Sequence, residues 1–253
     1  MTEQTPVSYR REGEIAFIEI DNPPVNALSA AVRQGLTDAV ARLADDAGAR
    51  IAVLSCAGRT FVAGADISEF GKPPVAPFLP DLIAAIEASE KPVVAALHGT
   101  VLGGGLEFTL AAHYRVVEND NKIQLGLPEI KVGLFPGGGG TQRLTRLVGV
   151  QNAMMAMSEG KSFRPNDAKG AGIVHEVVEK GQSVEAAKAW IKNGGKAVQP
   201  WDEKSFKLPG GGPYHPAGIQ NFMVGNAMLR KQSYGNYPAV VNLMKAVYEG
   251  AQV

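Results

Sequence analysis

Apolar and polar residues follow strand-like and helix-like spacings in turn along the first part of the chain. Residues 15–20 and 51–55 are rich in β-branched and other apolar residues, which predicts two strands. Ser29 can cap a helix between them. Four apolar residues then recur on one face of that helix: Val32, Leu36, Val40 and Leu43. A strand, a helix and a second strand in this order indicate α/β architecture.

The same spacings predict further elements as far as residue 148, after which the pattern becomes mostly helical. Strands are predicted at residues 92–97, 114–117 and 122–125, and helices at 82–89, 106–112 and 141–148. Later helices are predicted at 152–158, 166–169, 184–192, 219–230 and 239–248, with one short strand at 174–178. We therefore expect a core over residues 1–195, followed by a C-terminal connector and helices over residues 196–253.

Charge and cysteine content exclude several classes of function. Lys and Arg together number 25, as do Asp and Glu, so the neutral chain gives no indication of a nucleic-acid partner. The single cysteine, Cys56, cannot form an intrachain disulfide or a cysteine-based zinc site, and we expect no metal. No apolar run reaches the roughly 18 residues of a membrane span, and the N-terminal residues lack a signal region. We expect a cytoplasmic protein without a membrane partner.

The stretch from residue 101 to residue 149 combines glycine clusters with two glutamates. Gly103, Gly104 and Gly105 precede a predicted helix, whose first amide groups have no partner within the helix. Glu107 lies one helical turn beyond Gly104, so its side chain can return toward the same space. Glu129 follows a turn that ends in proline. Acidic residues thus stand in apolar, tightly turned surroundings.

These residue types suit a reaction that develops negative charge on a carbonyl oxygen. Two amide donors that converge on such an oxygen stabilise the transition state. Gly104 is one candidate donor, supported by the positive end of the helix dipole, and the loop at Ala65 is the other. Two carboxylates near one apolar pocket do not ionise independently, which provides an acid and a base at neutral pH.

Each of these signals alone also fits a structural role. Helix starts favour glycine and glutamate, so Glu107 and Glu129 can be read as helix-start or turn residues. The glycine run at 137–140 could bind phosphate, but no Gly-Lys-Ser/Thr sequence follows, which argues against a P-loop. His98 and His113 lie near the motif and are interpreted as packed histidines rather than as bases.

Taken together and in order, the motifs resemble those of the crotonase (enoyl-CoA hydratase/isomerase) superfamily. The similar segments are residues 22–28 (NPPVNAL), 63–67 (AGADI), 103–107 (GGGLE), 126–129 (GLPE) and 135–144 (FPGGGGTQRL). The resemblance spans about residues 8 to 195. It implies an α/β fold, the crotonase (ClpP-like) spiral of ββα units with a C-terminal helical region.

The resemblance also implies an activity, the syn addition of water across the 2,3 double bond of a trans-2-enoyl-CoA in fatty-acid β-oxidation. The ligand is then an acyl-CoA thioester, and coenzyme A is part of the substrate rather than a cofactor. Glu107 would activate the water, and Glu129 would deliver a proton to the α-carbon. The amides of Ala65 and Gly104 would form an oxyanion hole for the thioester oxygen. The amide of Gly137 would contact the catalytic water. Three further residues would border the adenine end of coenzyme A: Ala63, Asp66 and Ile67.

The C-terminal part refines this expectation. Residues 200–202 and 235–239 resemble the hydratase part of multifunctional fatty-acid oxidation enzymes, in which a 3-hydroxyacyl-CoA dehydrogenase follows. Fusion or association with such a dehydrogenase is one expectation, and a homotrimer or hexamer is the other. The proline-rich residues 71–80 are expected to be a surface loop or lid that contributes to the wall of the acyl pocket.

Three alternatives to hydration stay open at this point. The first is isomerisation of a 3-enoyl-CoA to a 2-enoyl-CoA, which needs one carboxylate to move a proton between carbons. The second is another crotonase chemistry, such as thioester hydrolysis. The third is a non-catalytic acyl-CoA-binding module in which both glutamates are structural.

Overall fold

A computed structural model describes residues 5–252, except for the side chain of Gln232. The strands are β1 (Val7–Glu12), β2 (Ile15–Ile20), β3 (Ile51–Cys56), β4 (Val93–Leu97), β5 (Val101–Leu102), β6 (Tyr114–Glu118), β7 (Leu125–Gly126), β8 (Ser162–Phe163) and β9 (Glu176–Val178). The helices are α1 (Ala30–Asp45), α2 (Leu79–Glu87), α3 (Gly104–Leu110), α4 (Gly140–Val148), α5 (Val150–Glu159), α6 (Pro165–Gly170), α7 (Ser183–Lys192), α8 (Pro216–Ser233) and α9 (Pro238–Gly250). The outer ends of the two predicted regions, residues 1–4 and 253, lie outside the described residues.

Two sheets organise these elements. The larger has the order β1-β2-β3-β4-β6-β9, and all its neighbours are parallel except β1 and β2. The smaller has the order β5-β7-β8 and is extended by parallel bridges between Leu28 and Ala65 and between Val62 and Val101. Each turn of the chain thus contributes a long strand, a short extended segment and a helix. The predicted spiral of ββα units is confirmed.

The hydrophobic core lies mainly on one face of the large sheet, where α1, α2 and α3 pack. Every residue of α3 is buried. The other face is covered by α7, whose Ala187 packs in a second cluster with Phe17, Val53 and Val94. Burial of apolar side chains on both faces explains why the central parallel strands read as continuous apolar runs.

Side-chain caps explain where two helices begin beside the small sheet. The Ser29 side chain accepts a hydrogen bond from the amide of Val32 at 3.3 Å, which confirms the predicted cap of α1. Asp66 caps the 3-10 helix Ile67–Glu69 by accepting from the amide of Ser68 at 2.9 Å. Both caps lie beside the short segments of the small sheet, so they fix where the chain leaves it.

Two sequence expectations about strands need correction. The edge strand β1 was not predicted, because most of its residues are polar and exposed and only Val7 is buried. The predicted strand at 122–125 is shorter, since only Leu125 and Gly126 pair. The side chain of Asp120 accepts from the amide of Lys122 at 2.8 Å and holds a turn there instead.

The C-terminal helices pack on the rest of the molecule. Helix α9 contacts α4 and α5, and α8 contacts α5 and α9. The division at residue 195 stays a prediction. No helix within residues 5–252 is both long enough and apolar enough to span a bilayer.

Candidate active site

The glycine cluster that opens α3 allows its backbone to approach two other segments closely. Gly103 has a φ of 54°, a conformation that residues with a side chain rarely adopt. A Cβ atom there would lie 3.0 Å from Oε1 of Glu129, and a Cβ on Gly105 would lie 2.6 Å from the carbonyl oxygen of Val62. The cluster therefore places the start of α3 directly beside the Glu129 carboxyl group.

The loop around Ala65 faces the same helix start. Its bridge to Leu28, together with the neighbouring bridge from Val62 to Val101, holds it in the small sheet. A Cβ atom on Gly104 would lie 3.9 Å from the amide nitrogen of Ala65. Neither amide donates a hydrogen bond to another group within residues 5–252. The structure thus brings the two predicted donors together, and their service as an oxyanion hole stays a prediction.

Glu107 is buried in the middle of α3, with 3% of its surface exposed. Its Oε1 atom accepts hydrogen bonds from the amides of Gly138 and Gly140, both at 2.8 Å. Burial raises the pKa of Glu107, whereas these two amides and the charge of Arg143 oppose that rise. The fixed donors stabilise the charged form of this carboxylate within an otherwise apolar environment.

Glu129 begins the 3-10 helix Glu129–Val132 and is partly buried. Its Oε2 atom is buried and has no hydrogen-bond partner among the described residues. Burial and the negative charge of Glu107 raise the pKa of Glu129 from 4.5 to about 7. The two glutamates therefore interact, but within residues 5–252 only Glu107 accepts hydrogen bonds from amides of another segment, whereas the rise in the pKa of Glu129 is opposed only by its own amide. This asymmetry suits a base at Glu107 and a proton donor at Glu129.

Comparison with known proteins now assigns the family. Residues 10–199 match the model of the family described as enoyl-CoA hydratase/isomerase. The chain belongs to this family. It is 42% identical over 184 residues to the peroxisomal bifunctional enzyme of Danio rerio, a match that covers 73% of this chain and 25% of that protein.

A second relative covers more of the chain. The fatty acid oxidation complex subunit alpha of Shewanella baltica is 36% identical over 251 residues, which cover 95% of this chain and 35% of that protein. The chain thus spans about a third of the length of these two curated relatives. Among solved structures, an enoyl-CoA hydratase from Mycobacterium tuberculosis superposes with a TM-score of 0.69 at 28% identity, covering 96% of this chain and 89% of that one.

In this member of the enoyl-CoA hydratase/isomerase family, the second glycine run, residues 137–140, contacts Glu107. The two glycines that make the contact were not predicted to do so. The amides that reach the carboxylate belong to Gly138 and Gly140. Gly137 is exposed, and a Cβ atom there would have no neighbour within 4 Å. Its predicted contact with the catalytic water stays a prediction. A run of four glycines carries no signal for which amides point inward.

A cleft of about 510 Å³ opens beside Ala65. Of the residues predicted to border the adenine end of coenzyme A, Asp66 lines this cleft, although its carboxylate is engaged by the Ser68 amide. Ala63 and Ile67 are exposed on the neighbouring surface. All three lie on the loop that carries the candidate oxyanion donor. Their contact with coenzyme A stays a prediction.

The C-terminal helices contact the segment that carries Glu129. The sequence did not predict this contact. The Tyr237 hydroxyl group donates a hydrogen bond to the carbonyl oxygen of Ile130. The side chain of Ile130 packs against Ala239 and Val240 at the start of α9. The two partners of the hydrogen bond are 107 positions apart, and no periodicity in the sequence links them.

The other titratable residues near the motif have structural surroundings. Nδ1 of His113 accepts from the amide of Val93 at 3.0 Å, and burial lowers the pKa of His113. The ring of His98 contacts the carbonyl oxygen of Gly58 at 3.0 Å. Burial raises the pKa of the Cys56 thiol well above its usual range. Within residues 5–252, no cluster of His, Cys, Asp or Glu side chains could hold a metal ion.

Proposed function

We propose that this protein is an enoyl-CoA hydratase that converts trans-2-enoyl-CoA to 3-hydroxyacyl-CoA. The observation that carries the proposal is the unequal environment of two adjacent carboxyl groups. Glu107 accepts two amide hydrogen bonds, whereas Glu129 has a buried oxygen without a donor and a pKa of about 7. Family membership and the relatives' roles in fatty-acid oxidation support it.

In this mechanism, charged Glu107 removes a proton from water as the water oxygen bonds to the β-carbon. The electron pair of the double bond moves toward the thioester carbonyl, whose oxygen gains negative charge. The amides of Ala65 and Gly104 stabilise that charge. Protonated Glu129 then delivers its proton to the α-carbon, so the elements of one water molecule are added. Coenzyme A takes part only as the substrate's carrier group.

Isomerisation of a 3-enoyl-CoA is the second candidate. The specific observation in its favour is the Glu129 pKa of about 7, because such a group both accepts and releases a proton at neutral pH. One carboxylate that moves a proton between two carbons is sufficient for that reaction. We treat it as a side activity of the same site.

We also propose that the chain acts with a 3-hydroxyacyl-CoA dehydrogenase, by fusion or association. The relatives named as a bifunctional enzyme and as a complex subunit support this, as does their length, which is nearly three times that of this chain. The product of hydration is the substrate that such a dehydrogenase oxidises. A homotrimer or hexamer, and a cytoplasmic location, stay predictions.

The experiment that tests the hydratase proposal is product analysis in deuterated water. The protein is mixed with crotonyl-CoA and, separately, with a 3-enoyl-CoA, and the products are identified by mass spectrometry and NMR. A hydratase converts crotonyl-CoA to 3-hydroxybutyryl-CoA with one deuterium at the α-carbon. Release of free coenzyme A would indicate thioester hydrolysis, and binding without turnover would indicate a non-catalytic module. Either result would overturn the proposal.

A further inference from the structure

Arg33 connects three separate segments of the chain through one side chain. It lies in the first turn of α1, and only 8% of its surface is exposed. Its guanidinium group donates to the carbonyl oxygens of Leu28 at 2.8 Å, Val75 at 2.9 Å and Pro77 at 2.8 Å. It also forms an ion pair of 2.9 Å with Oε2 of Glu69. The segment before α1, the 3-10 helix and the irregular loop after it are thus joined.

Glu69 completes this junction. Its second carboxylate oxygen, Oε1, accepts a 2.6 Å hydrogen bond from the amide of Ala30, the first residue of α1. A carboxylate at a helix start is favoured by the helix dipole. Arg33 and Glu69 therefore fix each other as well as the backbone around them. This geometry is rigid because both charged groups have their hydrogen bonds satisfied by fixed partners.

The joined segments form one wall of the cleft beside the candidate oxyanion hole. Arg33, Glu69 and Leu28 line the cleft, and so do apolar side chains of the irregular loop. Those apolar residues are Phe70, Val75 and Phe78, each about half exposed. Leu28 is also the bridge partner of Ala65. One side chain thus links Leu28, the neighbour of the Ala65 loop, to the apolar outer wall of the cleft.

The loop has few other means of holding its shape. Residues 71–78 form no helix or strand. Pro73, Pro74 and Pro77 lack an amide hydrogen, so the loop can donate few backbone hydrogen bonds. Arg33 supplies donors from outside for two of its carbonyl groups. Loss of these donors would let the wall move away from the site.

We infer that Arg33 is a positioning residue that determines acyl-chain selectivity, and that the part of the cleft lined by Phe70, Val75 and Phe78 takes the acyl group of a medium- or long-chain thioester. The inference rests on the proposed function, because it requires an acyl-CoA ligand. A four-carbon acyl group is expected to end short of the loop, whereas a ten-carbon group is expected to extend along the cleft to Phe70, Val75 and Phe78. Each buried methylene group favours binding, so only the longer chain depends on the wall.

Equilibrium binding of saturated acyl-CoA esters tests this without requiring turnover. We would measure the dissociation constants of butyryl-CoA and decanoyl-CoA by calorimetry for the wild type and for Arg33→Met. Decanoyl-CoA is expected to bind about tenfold more weakly to the variant, and butyryl-CoA to bind within about threefold of the wild type. Arg50→Met is the matched control, since Arg50 is an exposed surface residue in an ion pair with Glu14. For Arg50→Met, the ratio of the two dissociation constants is expected to equal that of the wild type.

Kinetics supply the second measurement. In Arg33→Met, KM is expected to rise more for the ten-carbon enoyl-CoA than for crotonyl-CoA. An unchanged ratio of the two dissociation constants, or an equal loss for both esters, would overturn the inference. Arg33→Lys, which keeps the charge but not the planar set of donors, gives the same comparison if the Met variant fails to fold. If Arg33→Met changes the ratio of the two dissociation constants but the wild type does not hydrate enoyl-CoA, the role of Arg33 is supported and only the hydratase activity is contradicted.

Discussion

The main-chain amide of Gly138 donates a 2.8 Å hydrogen bond to Oε1 of Glu107. The same glycine packs so closely that a Cβ atom on it would lie 3.0 Å from Oε2 of Glu107 and 3.0 Å from side-chain carbons of Leu79 and Ile83. The second glycine run therefore both stabilises the charge of Glu107 and leaves room for its carboxylate. Neither function tolerates a side chain without movement of the surroundings.

Replacement of Gly138 by alanine is expected to lower kcat for hydration by about tenfold to a hundredfold. The added Cβ would press on the Glu107 carboxylate as well as on Leu79 and Ile83, and small displacements of catalytic groups have effects of this size. Steady-state kinetics with crotonyl-CoA measure the effect. Gly170→Ala is the control, because a Cβ on Gly170 meets nothing within 4 Å. Equal activity of the two variants would show that this contact does not position Glu107.

The sequence predicted the two glutamates and both candidate oxyanion donors, and the structure brings these four residues together. Their motifs are local, so residue type and spacing within a few positions reveal them. The contacts made by Gly138 and Tyr237 were not predictable in the same way. The direction of an amide within a glycine run, and a hydrogen bond that spans 107 positions, depend on the folded path of the chain.

The edge of the fold was harder to predict for a related reason. Strand β1 has little apolar pattern because it pairs on one side only and most of its residues face solvent.

The contacts of Arg33 were not predictable either, since a single arginine within an amphipathic helix normally faces water. Its partners Val75 and Pro77 lie 42 and 44 positions away.

The raised pKa of Glu129 predicts a pH dependence of stability. Its pKa is 4.5 in the unfolded chain and about 7 in the folded protein. Between these values the folded state holds a proton that the unfolded state has lost, so the free energy of unfolding falls as the pH rises. Glu129 thus contributes about 3 kcal/mol to the free energy of unfolding below pH 4.5, and this contribution is lost by about pH 7.

Urea unfolding of the wild type and Glu129→Gln between pH 5 and pH 8 measures this contribution. The glutamine variant does not titrate, so its stability relative to the wild type is expected to increase with pH. Taking the difference between the two proteins removes contributions from other groups, such as the buried His175, whose pKa is lowered to about 3. A difference that is constant with pH would show that Glu129 has an ordinary pKa.

The same group predicts the alkaline limb of the rate profile. If protonated Glu129 delivers the proton, kcat/KM for hydration is expected to decrease above about pH 7, as that proton is lost. Because Glu107 and Glu129 interact, the apparent pKa belongs to the pair. Initial rates between pH 5 and pH 10 give the profile. A constant kcat/KM through pH 9 would argue against Glu129 as the proton donor.

Removal of the Tyr237 hydroxyl group is expected to affect Glu129 from a distance. Tyr237→Phe deletes the hydrogen bond to the Ile130 carbonyl and frees the 3-10 helix that begins with Glu129. We expect kcat to decrease by about threefold to tenfold with little change in KM, and the alkaline limb to shift. Tyr234→Phe is the control, since Tyr234 is 86% exposed. Equal profiles for both variants would refute this positioning role.

Glu107 and Glu129 act together on an enoyl thioester in the proposed mechanism. The most direct test is the rate of crotonyl-CoA hydration by Glu107→Gln and by Glu129→Gln, followed by the loss of absorbance of the conjugated thioester. Each substitution keeps the size of the side chain and removes its acid–base function. Each variant is expected to fold and to bind butyryl-CoA, with kcat lowered by at least about a hundredfold. Hydration by either variant within about threefold of the wild-type rate would show that the two carboxyl groups do not act together.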